Sequence, residues 1–367
     1  MSQGYDIVFI GLTLSSSWGN GHATTYRSLL RGLKEEGARV LFLEQDVPWY
    51  APHRDLPSPD FCDFYLYRDL PDLLERFSAH LANARAVIVG SYVQDGPAVI
   101  DALARRRPQV FGFYDIDTPV TLAKLDRGDE EYLRRDQLPL FDAYFSFSGG
   151  KVLDRLEQQY GAAKALPLYC SVDATRYRPV SADRRWDLGY LGTYSPDRQP
   201  TLDALLIEPA RRLPECRFVV AGPQYPENID WPANVTRIEH LPPADHPLFY
   251  NQQRYTLNVT RQDMIAAGWS PSVRLFEAGA CRTPVISDEW IGLGDFFPLE
   301  EAILTATSSD DVVRILRDDS GTHRDRIARA AHRITLEHHT GAARASQLLD
   351  HLADLEAAQT PPRRITA

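Results

Sequence analysis

The apolar residues of this chain fall into short β-branched or aromatic runs that alternate with amphipathic stretches of helical length, in two successive series. Runs that are apolar along their whole length fit parallel strands covered on both faces, because a sheet with one wet face would alternate. In the first series Tyr5–Gly11, Ala38–Glu44, Ala86–Tyr92, Gln109–Asp115, Ala143–Phe147 and Ala163–Tyr169 read as strands. His22–Glu36, Pro71–Asn83, Pro97–Arg106, Glu130–Leu138 and Lys151–Tyr160 read as helices between them. Residues 171–186 then carry Pro179 and several charges but no apolar period. The alternation restarts with Asp187–Thr193, Phe218–Gly222, Val235–His240, Tyr255–Thr260, Pro284–Asp288 and Ala302–Thr307 as strands. Thr201–Leu213, Pro247–Gln253 and 271–281 are the helices of this half, and further helices follow from Asp310 to Ala357. The expected class is α/β, with two doubly wound Rossmann-like domains facing across a cleft and helices at the C-terminus. The expected boundaries are 1–175, 176–357 and a frayed tail at 358–367 that holds Pro361 and Pro362.

A net charge of −10 argues against a general nucleic-acid or anionic-membrane binder, while leaving room for a local basic pocket. Cys62, Cys170, Cys216 and Cys281 are scattered, none has metal-ligand spacing, and reduced core thiols are expected. The N-terminal segment lacks a signal layout, and Ile7–Leu14 is too short to span a bilayer. These features lead us to expect a cytoplasmic protein without an integral membrane segment.

Ligands of open α/β sheets bind at the carboxyl ends of the strands, and the polar motifs cluster at such ends. Trp18-Gly19-Asn20-Gly21-His22 follows the first strand and opens the first helix. Its glycines allow close backbone approach, and a neutral His22 there could deprotonate a hydroxyl; the alternative is a tight turn with a solvent-facing histidine. The G-x-G-x-x-G dinucleotide fingerprint is absent. Asp115 and Asp117 end another strand. They resemble half of a metal–diphosphate clamp but stand without further oxygen ligands, so no metal is expected. Asp117 also fits as a helix cap ahead of Pro119, which leaves Asp115 to contact an acceptor or orient His22.

In the second half Gly192 and Thr193 end the first strand, and Arg198 lies near the following helix start, where a second nucleotide-binding half would make phosphate contacts. An ordinary βα turn capped by Asp197 is the alternative. Gly222 and Arg261 end two further strands at the same edge. Residues 270–281 read as a helix with Ser270 as N-cap, Pro271 at the first position, and Ser272, Arg274 and Glu277 within reach of a ligand. A guanidinium suits a diphosphate and a carboxylate suits a pair of ribose hydroxyls. An intrahelical Arg274–Glu277 pair on a core helix is the competing reading. Three cations at one edge of an acidic chain favour a diphosphate ligand.

The segments Trp18–His22, Phe113–Pro119, Leu191–Pro200 and Ser270–Asp288 together resemble the CgeB-type (spore-maturation) glycosyltransferases, a bacterial family of the two-domain GT-B architecture. The most specific portion is Pro271–Ala278 followed by Thr283–Asp288. The resemblance implies a C-terminal domain that binds a nucleotide-sugar donor, with Glu277 on the ribose, and an N-terminal domain that binds the acceptor. It further implies metal-independent transfer with no cofactor beyond the donor, and a last helix, Arg344–Ala357, that crosses back to the N-terminal domain. Two positions depart from the pattern. Trp269 stands where many retaining relatives carry a second glutamate, so retention is not inferred, and Arg282 stands where relatives often have glycine.

The expected roles follow. Arg198 and Arg274, helped by Arg261 and the amides of Ser270–Ser272, stabilise the leaving diphosphate; Gly192, Thr193 and Gly222 admit it; Glu277 holds the ribose. Asn20, Gly21 and Asp117 contact the acceptor. In an inverting enzyme His22 is the base and Asp115 orients it, whereas in a retaining one His22 positions the sugar. A sugar-nucleotide epimerase and a non-catalytic nucleotide-sugar-binding partner share these features. An NAD-dependent oxidoreductase is disfavoured by the missing glycine fingerprint.

Overall fold

The computed structural model describes residues 4–18 and 21–359. The chain divides into two compact units: one runs to Ser171 and resumes at Gly341, and the other spans Val172–Thr340.

The first unit is built on a seven-stranded sheet of β1 (Ile7–Gly11), β2 (Val40–Gln45), β3 (Asp63–Tyr67), β4 (Ala86–Gly90), β5 (Val110–Asp115), β6 (Ala143–Ser146) and β7 (Ala165–Pro167). The spatial order is β3-β2-β1-β4-β5-β6-β7, and every pairing is parallel. β1, β4 and β5 are buried at every residue, as their unbroken apolar runs require. β3 at the sheet edge alternates between exposed and partly buried residues, which is why no apolar run announces it.

The second unit carries β8 (Trp186–Leu191), β9 (Phe218–Ala221), β10 (Val235–Ile238), β11 (Gln253–Asn258), β12 (Val285–Ser287) and β13 (Leu304–Thr305). Their order is β10-β9-β8-β11-β12-β13, again wholly parallel. Each sheet reverses direction of growth beside its first strand, which places a switch point next to β1 in one unit and β8 in the other.

Some expected elements are corrected. Pro71–Asn83 is two helices, Leu70–Arg76 and Ser78–Asn83, separated at Phe77. The helix expected over Glu130–Leu138 forms earlier, over Thr118–Asp126, started by Asp117 and Pro119 and closed by Gly128 at φ +74°. Only a 3-10 turn, Arg135–Leu140, remains downstream, with Pro139 inside it. The helix expected over Thr201–Leu213 starts at Gln199 and passes through a π-helical turn, Asp203–Ile207. Pro209 follows that turn, and its missing N–H and ring disfavour regular α-helical bonding there.

The division also differs from the 176–357 boundary. The final helix, Gly341–Gln359, packs on the first helix, His22–Glu35, of the first unit. A Cβ on Gly32 would lie 2.3 Å from the Gly341 carbonyl oxygen, and one on Gly341 would lie 2.1 Å from that of Ser28. Two glycines therefore set this contact, and Ala345, Leu348 and Leu352 join the core behind it. Of the expected tail, residues 358 and 359 complete this helix, and the remainder lies outside the described residues. Among the described residues no helix is long and apolar enough to cross a membrane.

Candidate active site

At the carboxyl edge of the second sheet, Arg274 is the organising side chain. It lies on the helix Val273–Ala280, whose cap is Ser272: the Ser272 hydroxyl accepts from the Arg274 amide at 3.4 Å. Ser270 is not the cap, since its hydroxyl donates to the Gly268 carbonyl at 3.0 Å, and Pro271 precedes the helix. The Arg274 guanidinium is buried and donates from Nε to the Leu191 carbonyl at 2.7 Å and from Nη1 to Asn258 Oδ1 at 2.8 Å. It also lies over the Tyr190 ring, 4.9 Å from its centroid. The end of β8 and the end of β11 thus fix a cation where ligands of such sheets bind.

Glu277 does not pair with Arg274. Its Oε2 accepts from the buried Tyr250 hydroxyl at 2.9 Å, and its charge, after burial, helps raise the Tyr177 phenol above its usual range. The intrahelical ion pair considered from the spacing is therefore not formed.

Arg198 immediately precedes the helix that starts at Gln199 and donates from Nη2 to the Thr193 carbonyl at 2.6 Å. Its Nε is buried without an acceptor among the described residues. Burial pushes the guanidinium pKa down, and repulsion from Arg274 and Arg261 adds to that shift. Buried donors are nearly always satisfied, so an unfilled one among like charges marks a place shaped for an anion. Arg261 is exposed at the end of the segment after β11.

Gly222 acts differently from the expectation that it admits a ligand. At φ +141° its missing Cβ would lie 2.0 Å from the Gly192 carbonyl oxygen, so the glycine lets two adjacent strand ends meet. Gly192 in turn lies under the Tyr190 hydroxyl and Arg274 Nη2, where a Cβ would sit at 2.6 and 3.1 Å. Arg282 adopts φ +57° at the opposite end of its helix from Ser272 and is exposed, so the turn keeps its left-handed form with an arginine in place of glycine.

Sequence reasoning gave no role to two residues here, Asn258 and Asp288, the second being named only as the end of a matched segment. Asn258 binds Arg274, and Asp288 accepts from the Thr260 amide at 2.9 Å and the Thr260 hydroxyl at 2.8 Å, with burial raising its pKa. A polar residue closing an otherwise apolar strand was the available signal for both.

In the first unit His22 is the first residue of its helix, after Gly21, and is buried. Burial lowers its pKa to about 4, which keeps the imidazole neutral near pH 7. Its ring meets the Tyr92 ring edge-on at 5.3 Å. Asp115 is fully buried at the end of β5, and its pKa is raised to about 6 by that burial. Its oxygens accept from the Tyr144 hydroxyl at 2.5 Å, the Thr121 hydroxyl at 2.8 Å and the Asp117 amide at 3.1 Å. These bonds tie β5 to β6 and the next helix, and none of them orients His22. Asp117 accepts from the Tyr92 hydroxyl at 3.3 Å, and Tyr92 holds φ +63°. Tyr92, unremarked in the sequence because it follows an ordinary apolar strand, connects His22 with Asp117 by direct contact. Asn20 lies outside the described residues. Among the described residues no three His, Cys, Asp or Glu side chains are placed to hold a metal ion.

Comparison with known proteins gives these sites a context. A family model described as glycosyl transferase-like matches residues 198–350, from Arg198 through Arg274, Glu277 and Asp288. No curated protein sequence matches at a significant level. Among solved structures, sucrose-phosphate synthase from Thermosynechococcus elongatus superposes with a TM-score of 0.70 at 14% identity, covering 96% of this chain and 100% of that one. Anabaena HepE in complex with UDP and glucose gives 0.66 at 12% identity, covering 95% and 100%. The T4 phage β-glucosyltransferase in complex with its UDP-glucose substrate gives 0.57 at 10% identity, covering 96% and 97%. The chain thus shares the two-unit α/β fold of these solved glycosyltransferases and carries a glycosyl transferase-like signature over most of its second unit.

Proposed function

We propose that the second unit binds a uridine-diphosphate sugar and that the protein transfers its sugar to an acceptor held by the first unit. One observation carries the donor assignment: Arg198, with its buried Nε unfilled, stands with Arg274 and Arg261 at the carboxyl edge of the second sheet. An entering diphosphate would supply the missing acceptor and neutralise the repulsion. In this reading Arg274 and Arg198 take up the charge that develops on the leaving diphosphate, with Arg261 and the amides of Ser270 and Ser272 in support. Gly192 and Thr193 border the phosphates, and Glu277, steadied by Tyr250, holds the ribose.

His22 is assigned as general base from its place as the first residue of the helix after β1, in contact with Tyr92; burial keeps its imidazole neutral while weakening it as a proton acceptor. Gly21 and Asp117, with Tyr92 between His22 and Asp117, border the acceptor; Asp115 braces the floor beneath them rather than aligning the base. The resemblance at Pro271–Ala278 and Thr283–Asp288 supports a CgeB-type member that needs no cofactor beyond its donor. Four free cysteines support a reducing, cytoplasmic setting.

The test is incubation of pure protein with a panel of nucleotide sugars. Release of nucleoside diphosphate, slow alone and faster with acceptor, supports transfer. A new sugar epimer indicates an epimerase, and binding without turnover indicates a non-catalytic partner. His22→Ala should abolish transfer and spare thermal protection by UDP; full activity in that variant removes His22 as the base.

A further inference from the structure

The segment between β1 and the first helix is buried from Thr13 to Ser16 and is held in place by side-chain bonds. Buried Glu44 on β2 accepts from the Leu14 amide at 2.6 Å, the Ser15 amide at 2.9 Å and the Ser15 hydroxyl at 2.6 Å. Arg27 donates through Nε to the Leu14 carbonyl at 2.9 Å and grips Asp55 with both terminal nitrogens at 2.8 Å. Asp55 in turn accepts from the Ser17 amide at 2.9 Å and the Ser17 hydroxyl at 3.0 Å, while the Ser16 hydroxyl donates to the His53 carbonyl at 2.8 Å. These bonds lock the loop after β1 to the loop after β2.

What they present to water is an indole. Trp18 is 54% exposed and lies flat on the His53 imidazole, with centroids 4.4 Å apart and planes 10° from parallel. Trp49, in the same β2 loop, is 47% exposed. Single exposed aromatics are ordinary, but a stacked pair on a bonded frame at the ligand edge of a sheet, four residues before His22, is a preorganised surface. The half-exposed carboxylates of this frame are both ion-paired, Asp55 with Arg27 beside Ser17 and Asp46 with Arg54 at 2.5 Å.

We infer that Trp18, backed by His53, is the stacking platform for a neutral sugar acceptor. A pyranose offers one face of C–H groups to the indole and hydroxyls at its rim to the remaining carboxylate lone pairs, whereas a phosphorylated or acidic acceptor would find the Arg27 and Arg54 guanidiniums there already engaged by Asp55 and Asp46. A flat phenol would stack but bring a single hydroxyl to the rim. The inference rests on the transfer reading for its purpose, though its chemistry is testable without turnover.

Binding of cellobiose, maltose, lactose and 4-nitrophenol to the full chain is measured by saturation-transfer NMR, with and without UDP. At least one disaccharide should bind through its ring C–H protons, about tenfold more weakly in Trp18→Ala and within about threefold of the parent in Trp18→Phe. Thermal protection by UDP should be the same in all three proteins. The platform is refuted if no disaccharide binds the parent, if Trp18→Ala binds it equally well, or if only 4-nitrophenol shows dependence on Trp18. A parent that binds a disaccharide through Trp18 but gains no protection from UDP keeps the platform and sinks the donor reading.

Discussion

Replacing Arg274 by lysine separates charge from geometry at the proposed donor site. The parent guanidinium satisfies the Leu191 carbonyl with Nε and Asn258 Oδ1 with Nη1, and its flat face covers the Tyr190 ring. A lysine keeps the positive charge but carries its three donors on one nitrogen, which cannot stand at both the Nε and the Nη1 positions, so at least one of the two bonds is lost or stretched. An acceptor left buried without a donor costs about 1–3 kcal/mol. For a unit of this size that lowers the melting temperature by roughly 2–10 °C. The variant should also bind UDP about tenfold more weakly, because the nitrogen is no longer aimed by two fixed acceptors. Differential scanning fluorimetry of the apo protein, followed by UDP titration, reads both effects. If Arg274→Lys melts with the parent and binds UDP as tightly, the anchored geometry is irrelevant and the argument from Leu191 and Asn258 fails.

Other consequences are separately measurable. Glu277→Ala should lose UDP protection and also destabilise the apo protein by about 1–3 kcal/mol, since it strands the buried Tyr250 hydroxyl; Glu277→Gln should lose the protection while nearly keeping the apo melting point, and a Gln variant fully protected by UDP would remove the ribose role. His22 and Asp115 predict opposite pH slopes. The stability that neutral His22 preserves is complete above its unfolded pKa of 6.5 and is lost as the pH falls toward its folded value of about 4. Relative to His22→Gln, the parent should therefore lose on the order of 3 kcal/mol across that interval in urea melts. Asp115, raised from 3.8 to about 6, contributes stability that is complete below its unfolded value and is lost as the pH rises through the folded one. Relative to Asp115→Asn, the parent should therefore weaken from about pH 4 to 6; parallel curves would contradict the burial of either group. Gly32→Ala drives a Cβ into the Gly341 carbonyl and should detach the final helix, with a loss above about 2 kcal/mol and faster proteolysis beyond residue 340; an unchanged melt would refute the close packing.

The central strands were legible because burial on both faces leaves an unbroken apolar run, as in Ile7–Gly11 and Ala86–Gly90. Edge strand Asp63–Tyr67 was not, since only part of it faces a core. The helix at Thr118 is visible as a cap-and-proline signal beside Asp117, yet the apolar spacing of Glu130–Leu138 is equally helical, and Pro139 and the earlier helix decide against it. Among site residues, Arg198, Arg261 and Arg274 could be placed at one edge from the order of strands and turns. Their bonds could not: Asn258 and Tyr250 are distant in sequence, and which side chain an arginine or glutamate finds depends on neighbours supplied by other strands and helices.

The sequence alone thus determined the parallel α/β class, the two series of strands and the edge at which polar groups gather, because burial periodicity and turn chemistry are local properties. Tertiary structure decided the rest. It supplied the Gly32–Gly341 contact that seats the last helix on the first unit, a return that the family resemblance had implied without its contacts. It made Ser272 rather than Ser270 the cap, drew Arg274 away from Glu277 toward Leu191 and Asn258, and turned Asp115 from His22 toward Tyr144 and Thr121. Each of these outcomes depends on partners far apart in the chain, and a buried polar group takes whichever partner the packed sheet brings within about 3 Å.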